Sequence, residues 1–143
     1  VKVRYEKDPP APHEIAQASR IQAQTGEPVE LFGDTVRGHQ YPGIDGVIGA
    51  NRRPLSLKDL DLSNPNANLA GVRGNAVTAA KKAAAHGYSD VEVHISVHGR
   101  TRAEVQAAWN QTTGDPFLGG TVRKLVISFD DGSVWVVRPS QTR

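Results

Sequence analysis

Two short stretches carry residue types that together could cut a phosphodiester. Tyr41-Pro-Gly-Ile-Asp45-Gly-Val-Ile-Gly49 reads as one strand, and Pro54-Leu-Ser56-Leu57-Lys58-Asp59-Leu60 as its hairpin partner after a short polar turn. Side chains alternate along a strand, so Leu55 and Leu57 share one face while Ser56 and Lys58 share the other. An acid beside a lysine, backed by an apolar face, suits metal-assisted phosphodiester cleavage. The carboxylate holds a divalent cation, and the ammonium steadies the attacking water or the developing negative charge. Asp45 is therefore expected as a metal ligand and Lys58 as the assisting cation. The plainer alternatives are that Asp45-Gly46 makes a bend and that Lys58 is an exposed strand residue that discourages edge pairing.

Pro42-Gly43-Ile44-Asp45 followed by Ser56-Leu57-Lys58 resembles the signature of the PD-(D/E)xK nuclease superfamily. The order of parts over residues 12 to 60 is a Gly-ended helix with an early Glu, a strand, then the Ile-Asp-Gly and Ser-Leu-Lys elements. It is similar to that of the C-terminal toxin domains of contact-dependent growth inhibition proteins, several of which are tRNA nucleases. The resemblance implies an αβββαβ restriction-endonuclease-like core, an Mg²⁺ or Mn²⁺ cofactor with Zn²⁺ as an alternative, and tRNA as substrate. It further implies a cognate immunity protein and delivery within a larger exported parent to the cytoplasm of a neighbouring bacterium. The chain departs from the pattern at Ser56, where a carboxylate is expected. On the resemblance Glu14 of the first helix supplies the missing charge, with Glu30 and Asp34 as competitors and the Leu57 carbonyl completing the site. The plain reading of Glu14 is a favourable charge at a helix N-terminus.

The elements that must position these residues follow from periodicity and punctuation. Residues 1 to 11 show little pattern and read as a lead-in segment or the tail of a linker, with one domain over 12 to 143. A helix is predicted from Pro12 to Gly26, with Glu14, Ala18 and Ile21 on one face. Glu27 to Phe32 reads as a strand, and Asp61 to Asn68 as a loop able to rim a site. Leu69 to His86 is an Ala- and Lys-rich helix stopping at Gly87, and Val91 to His98 a strand with four aliphatic residues on one face. Thr101 and Glu104 form a capping box for a helix through Trp109, and an Asp-Gly turn joins two closing strands. Helix, three strands, helix, strand, helix and two strands imply an α/β or α+β fold, a mixed sheet flanked by helices, with a C-terminal helix and hairpin added to the core.

Composition bounds the partners. The 143 residues include no Cys, which excludes disulfides and cysteine-based zinc sites. The chain has no Met and begins at Val, which suggests a piece of a larger polypeptide. Seventeen Lys and Arg against fifteen Asp and Glu give a net charge of +2, a mild lean towards nucleic acid that needs a local patch to matter. Arg52, Arg53, Lys81, Lys82 and Arg100 are the expected backbone contacts, each with solvated surface charge as the plain alternative. Two rivals stand beside the metal-dependent nuclease. His94 and His98 lie on one side of a strand about 13 Å apart, so either could serve as acid or base in a metal-independent ribonuclease. A non-catalytic nucleic-acid or protein-binding module is the other.

Overall fold

The computed structural model describes residues 1–5, 8–33 and 41–139. The first helix, α1 (Pro12–Thr25), begins with proline at its opening position and ends at Gly26, whose left-handed backbone (φ 72°) caps it. Three strands follow, β2 (Val29–Phe32), β3 (Gly46–Ile48) and β4 (Arg53–Asp61), after an initial strand β1 (Lys2–Arg4). Then come α2 (Gly71–Ala85), β5 (Val91–His98), α3 (Arg102–Ala108), β6 (Val122–Phe129) and β7 (Val134–Val137). From α1 to β5 the order is α, three strands, α, strand, as expected from sequence.

All seven strands form one mixed sheet in chain order. β2, β3 and β4 run as antiparallel neighbours, β4, β5 and β6 are parallel, and β7 returns antiparallel to β6. Residues 2 to 4, read from sequence as irregular, instead add an edge strand parallel to β2. Three residues are too few to show alternation, and Arg4 is tied in by an ion pair to Glu30. The fold is thus α+β with a mixed sheet and three α-helices among the described residues, none long and apolar enough to cross a membrane.

The two faces differ. The larger core lies under α2 and α3, where Val72, Ala76, Ala80 and Val105 meet Val91, Val93, Ile95, Val97, Leu125 and Ile127. Trp109 and Trp135 meet there edge to face, ring centres 5.1 Å apart. The alanines of α2 let the helix sit close to the sheet. The smaller core lies under α1, where Ala18 and Ile21 cover Val29, Leu31, Ile48, Leu55 and Leu57. Because α1 also covers the opposite side of β5, Glu92, His94 and Ser96 are buried rather than solvated.

Burying charge there requires partners, and Arg53 supplies them. Its guanidinium bonds both Glu92 and Glu27, and Glu92 also bonds His94 Nε2 at 2.9 Å. Burial pushes the Glu92 carboxyl up, but the His94 and Arg53 bonds outweigh it and hold the pKa at about 2. A carboxyl depressed in the folded state contributes stability that is full above its unfolded value near 4.5 and is lost as pH falls towards 2. Arg53→Met is expected to cost about 3 kcal/mol, because it leaves a buried carboxylate without its cation. Urea unfolding at pH 7 measures this, and a loss below about 1 kcal/mol would mean that the network contributes little.

Candidate active site

Asp45 stands immediately before β3, and the geometry of the site begins with where that strand starts. The β3–β4 register runs from Ile48 opposite Arg53 to Gly46 opposite Leu55, whereas β4 continues to Asp61. Past Leu55, the Asp45 side chain takes over the role of a strand: Oδ2 accepts the Leu57 N–H at 2.7 Å. The Asp45 backbone is held on both sides, its N–H donating to Leu55 and its carbonyl accepting from Phe32. A strand residue sends N–H and C=O to the same edge, so the Leu57 carbonyl points to the Asp45 side of β4. Gly46 is required by the same crowding, since a Cβ there would fall 2.1 Å from the Glu30 carbonyl oxygen. The Asp-Gly pair is therefore a strand start that also aims a carboxylate.

Around Asp45 the structure gathers charge from three elements. Burial raises the carboxyl pKa above its ordinary value, and the Leu57 hydrogen bond opposes this. Glu14 of α1 pushes it further up, while Lys58 of β4 and Lys82 of α2 pull it down. Register places Ser56 and Lys58 opposite Val93 and Ile95, on the α2 face of the sheet. Glu14 comes from the other face. Asp45, at the notch where β3 has not yet begun, is in electrostatic reach of both.

Glu14 is half-buried, and one of its oxygens accepts the Ala11 N–H at 3.3 Å, so the helix-capping role holds as well. Gln17, one turn further along the same face, was missed by sequence reasoning. It is buried, and its amide donates to the carbonyls of Lys58 (3.0 Å) and His94 (3.3 Å). This pins α1 to β4 at the lysine itself, and therefore fixes where Glu14 stands relative to Lys58. The available signal was a polar residue at i+3 from Glu14 on the inward stripe.

Among the described residues no group of three or more His, Cys, Asp or Glu side chains could hold a metal ion. The carboxylates in electrostatic reach of each other are Asp45 and Glu14, both oxygen donors. Mg²⁺ and Mn²⁺ suit such a set because they retain several waters, whereas zinc takes three or four protein ligands. Ser56 is buried on the α2 face of β4. Of the competing carboxylates, Glu30 is bound by Arg4 and Arg52, and Asp34 lies outside the described residues.

The expected nucleic-acid contacts divide. Lys81 and Lys82 are exposed on the last turns of α2, next to the turn that leads to Asp45, where Gly43 packs on the Lys82 carbonyl. Arg52, exposed, pairs with Glu30, and Arg53 is consumed by its buried network. Arg53 begins β4, with Arg52 in the turn before it, and Arg53 is five residues, about 16 Å along a strand, from Lys58. Arg100 bonds the Leu62 and Asn64 carbonyls and Glu104, stapling the loop after β4 to the start of α3. The structure brings Lys82 to Asp45 and gives Arg53 and Arg100 internal partners.

The histidines also divide. His94 is buried beneath α1 with its Nε2 on Glu92. His98, at the end of β5, sits between two carboxylates, Nδ1 on Asp130 and Nε2 on Asp59. The Asp130 bond chiefly raises its pKa, partial burial opposes, and Asp59 adds to the rise. With both nitrogens engaged, His98 clasps the ends of β4, β5 and β6. The His98-Gly99 corner is filled by the chain's own acid, since Gly99 N–H also donates to Asp130.

Comparison with protein-family models, with curated proteins and with solved structures finds no match.

Two outcomes follow from these charges. A carboxyl raised in the folded state destabilises the fold once ionised, a penalty absent below its unfolded value of 3.8 and full above its folded one. Asp45→Asn keeps an acceptor for Leu57 and removes that penalty. Its Tm at pH 7 is expected to equal or exceed wild type, with the gap closing as pH falls; a lower Tm at pH 7 would refute the assignment. For His98 the sign is opposite. A raised histidine contributes stability that is full below about 6.5 and lost as pH rises through its folded value. His98→Gln should lower the urea midpoint most below pH 6 and least at alkaline pH; a pH-independent loss would show packing rather than charge.

Proposed function

We propose that this domain is a metal-dependent endonuclease of PD-(D/E)xK type, acting on RNA as a growth-inhibiting toxin. The observation that carries the reading is the Asp45 carboxylate, aimed by the Leu57 N–H and in electrostatic range of both Glu14 and Lys58. Asp45 and Glu14 would hold Mg²⁺ or Mn²⁺, with the Leu57 carbonyl as a further donor. The cation, when bound, supplies Lewis acidity and a lowered water pKa. Lys58 donates to a non-bridging phosphate oxygen and stabilises the charge that builds as water attacks phosphorus. Gln17 holds the strand that carries Lys58, and Lys82 gives the phosphate backbone a second cation. The raised pKa of Asp45 fits this role, because an ionised carboxylate under a burial penalty gains by taking a cation.

Transfer RNA as the substrate, a cognate immunity protein as partner and delivery within a larger exported parent rest on the family resemblance. The metal-independent alternative loses ground, because His94 is buried and both nitrogens of His98 are engaged by carboxylates.

Incubating the domain with total bacterial tRNA and separately with plasmid DNA, in Mg²⁺ or in EDTA, tests the proposal. Discrete tRNA fragments are expected in Mg²⁺, lost in EDTA and reduced at least a hundredfold by Asp45→Asn or Lys58→Ala, in line with removal of one charge-stabilising group. Mg²⁺ should also raise the Tm of wild type but not of Asp45→Asn. Cleavage that persists in EDTA would overturn the metal-dependent reading, and no cleavage of either substrate would favour a binding module.

A further inference from the structure

The turn that delivers Asp45 begins with an aromatic side chain for which the chemistry above has no use. Tyr41 stacks on Phe32 with ring centres 4.4 Å apart and planes 25° from parallel. The two rings are unequal partners: Phe32, at the end of β2, is buried at 9% exposure, while Tyr41 keeps 36%. Phe32 therefore covers one ring face and fixes its orientation from within the sheet. A buried ring beneath an exposed one presents an aromatic surface on a loop.

Its surroundings are those of a nucleotide rather than of an apolar ligand. Tyr41 precedes Asp45 by four residues, at most about 14 Å of chain, and Pro42 and Gly43 turn between them. That turn is pressed against the end of α2, where a Cβ on Gly43 would fall 3.0 Å from both the Lys82 carbonyl and the His86 ring. Tyr88, just past the same helix end, lies close enough for Tyr41 to act on its hydroxyl electrostatically. One end of α2 thus presents two exposed lysines, Lys81 and Lys82, and an exposed His86, with Tyr88 just beyond it and the Tyr41 turn packed against it, beside the turn that leads to Asp45. Cations for phosphates and an aromatic face for a base, about a nucleotide or two from an acid and lysine pair, are the elements of single-strand recognition.

We propose that Tyr41 is a stacking platform for an unpaired nucleobase next to the scissile phosphate, so that the substrate is single-stranded or looped where it is cut. A base within a continuous duplex has both faces covered by its neighbours and cannot lie on the ring, whereas an unpaired base can be splayed onto it. The proposal rests on the nuclease reading for the meaning of the site, but its binding step needs no catalysis.

The test is fluorescence anisotropy in EDTA, with a labelled single-stranded oligoribonucleotide and the fully paired duplex of the same sequence at one fixed salt concentration. Wild type is expected to prefer the single strand. Tyr41→Leu, which keeps an apolar cover over Phe32, should weaken that binding roughly tenfold or more, the loss of one stacked base. Tyr41→Phe and Tyr41→Trp should retain it, and duplex binding should be the same in all four proteins. Thermal unfolding of each variant separates a folding defect from lost stacking. Equal single-strand binding by wild type and a folded Tyr41→Leu, a preference for duplex, or binding of neither nucleic acid by wild type would overturn the platform. Single-strand binding that depends on Tyr41 but is never followed by cleavage in Mg²⁺ would uphold the platform and sink the nuclease reading.

Discussion

A backbone N–H in a half-buried strand must find an acceptor, and in β4 the amide of Leu57 finds the side chain of Asp45. That substitution of a carboxylate for a strand is the constraint from which the site is built. It lets β3 begin only at Gly46, stops the β3–β4 pairing at Leu55, and turns an ordinary hairpin into a notch with an acid at its base. The close approach of the Glu30 carbonyl forces glycine at position 46. The penalty for burying the carboxylate is offset in part by the Leu57 bond and by Lys58 and Lys82, and enlarged by Glu14. A group held charged against such a penalty is poised to exchange part of it for a bound cation.

The interior beneath α1 is organised by a different device. An all-apolar α1 face would have packed against β5 with less specificity, but the chain puts Gln17 over two backbone carbonyls and places Arg53, Glu92 and His94 in one connected network. Gln17 fixes the depth and register of the helix on the sheet, because it loses both carbonyl partners if the helix slides, while the Arg53 network satisfies the charges that the helix buries. The consequence reaches the notch, since Glu14 and Gln17 lie one turn apart on the same rigid helix. At the far end of β5, the Asp59–His98–Asp130 clasp ties the ends of three parallel strands with charge.

Several elements were legible because the signals that define them are local. Pro12 and Gly26 bracket α1, the Thr101 and Glu104 capping box opens α3, and the Asp-Gly turn joins β6 to β7. The alternation of Val91, Val93, Ile95 and Val97 gave β5 one buried face correctly. The other face was not legible, because whether Glu92, His94 and Ser96 meet water depends on a helix some seventy residues earlier. Arg52 and Arg53 illustrate the same limit: adjacent arginines on a polar turn look like a phosphate contact, yet their partners Glu30, Glu27 and Glu92 are distant in sequence. β1 was hidden by its length.

Residue type and spacing by themselves determined the α+β class, the run of elements from α1 to β7 and the pairing of an Asp-Gly strand start with a Ser-Leu-Lys strand. Those are consequences of backbone preference and period, which act within a few residues. Tertiary structure alone decided that Asp45 reaches Leu57, that Glu14 and Lys82 join it from opposite faces, that Gln17 anchors Lys58, and that Arg53, Arg100, His94 and His98 are engaged by internal partners. Each of these depends on which charges and hydrogen-bonding groups meet across the sheet, and desolvation gives such meetings their energy only once the chain has closed around them.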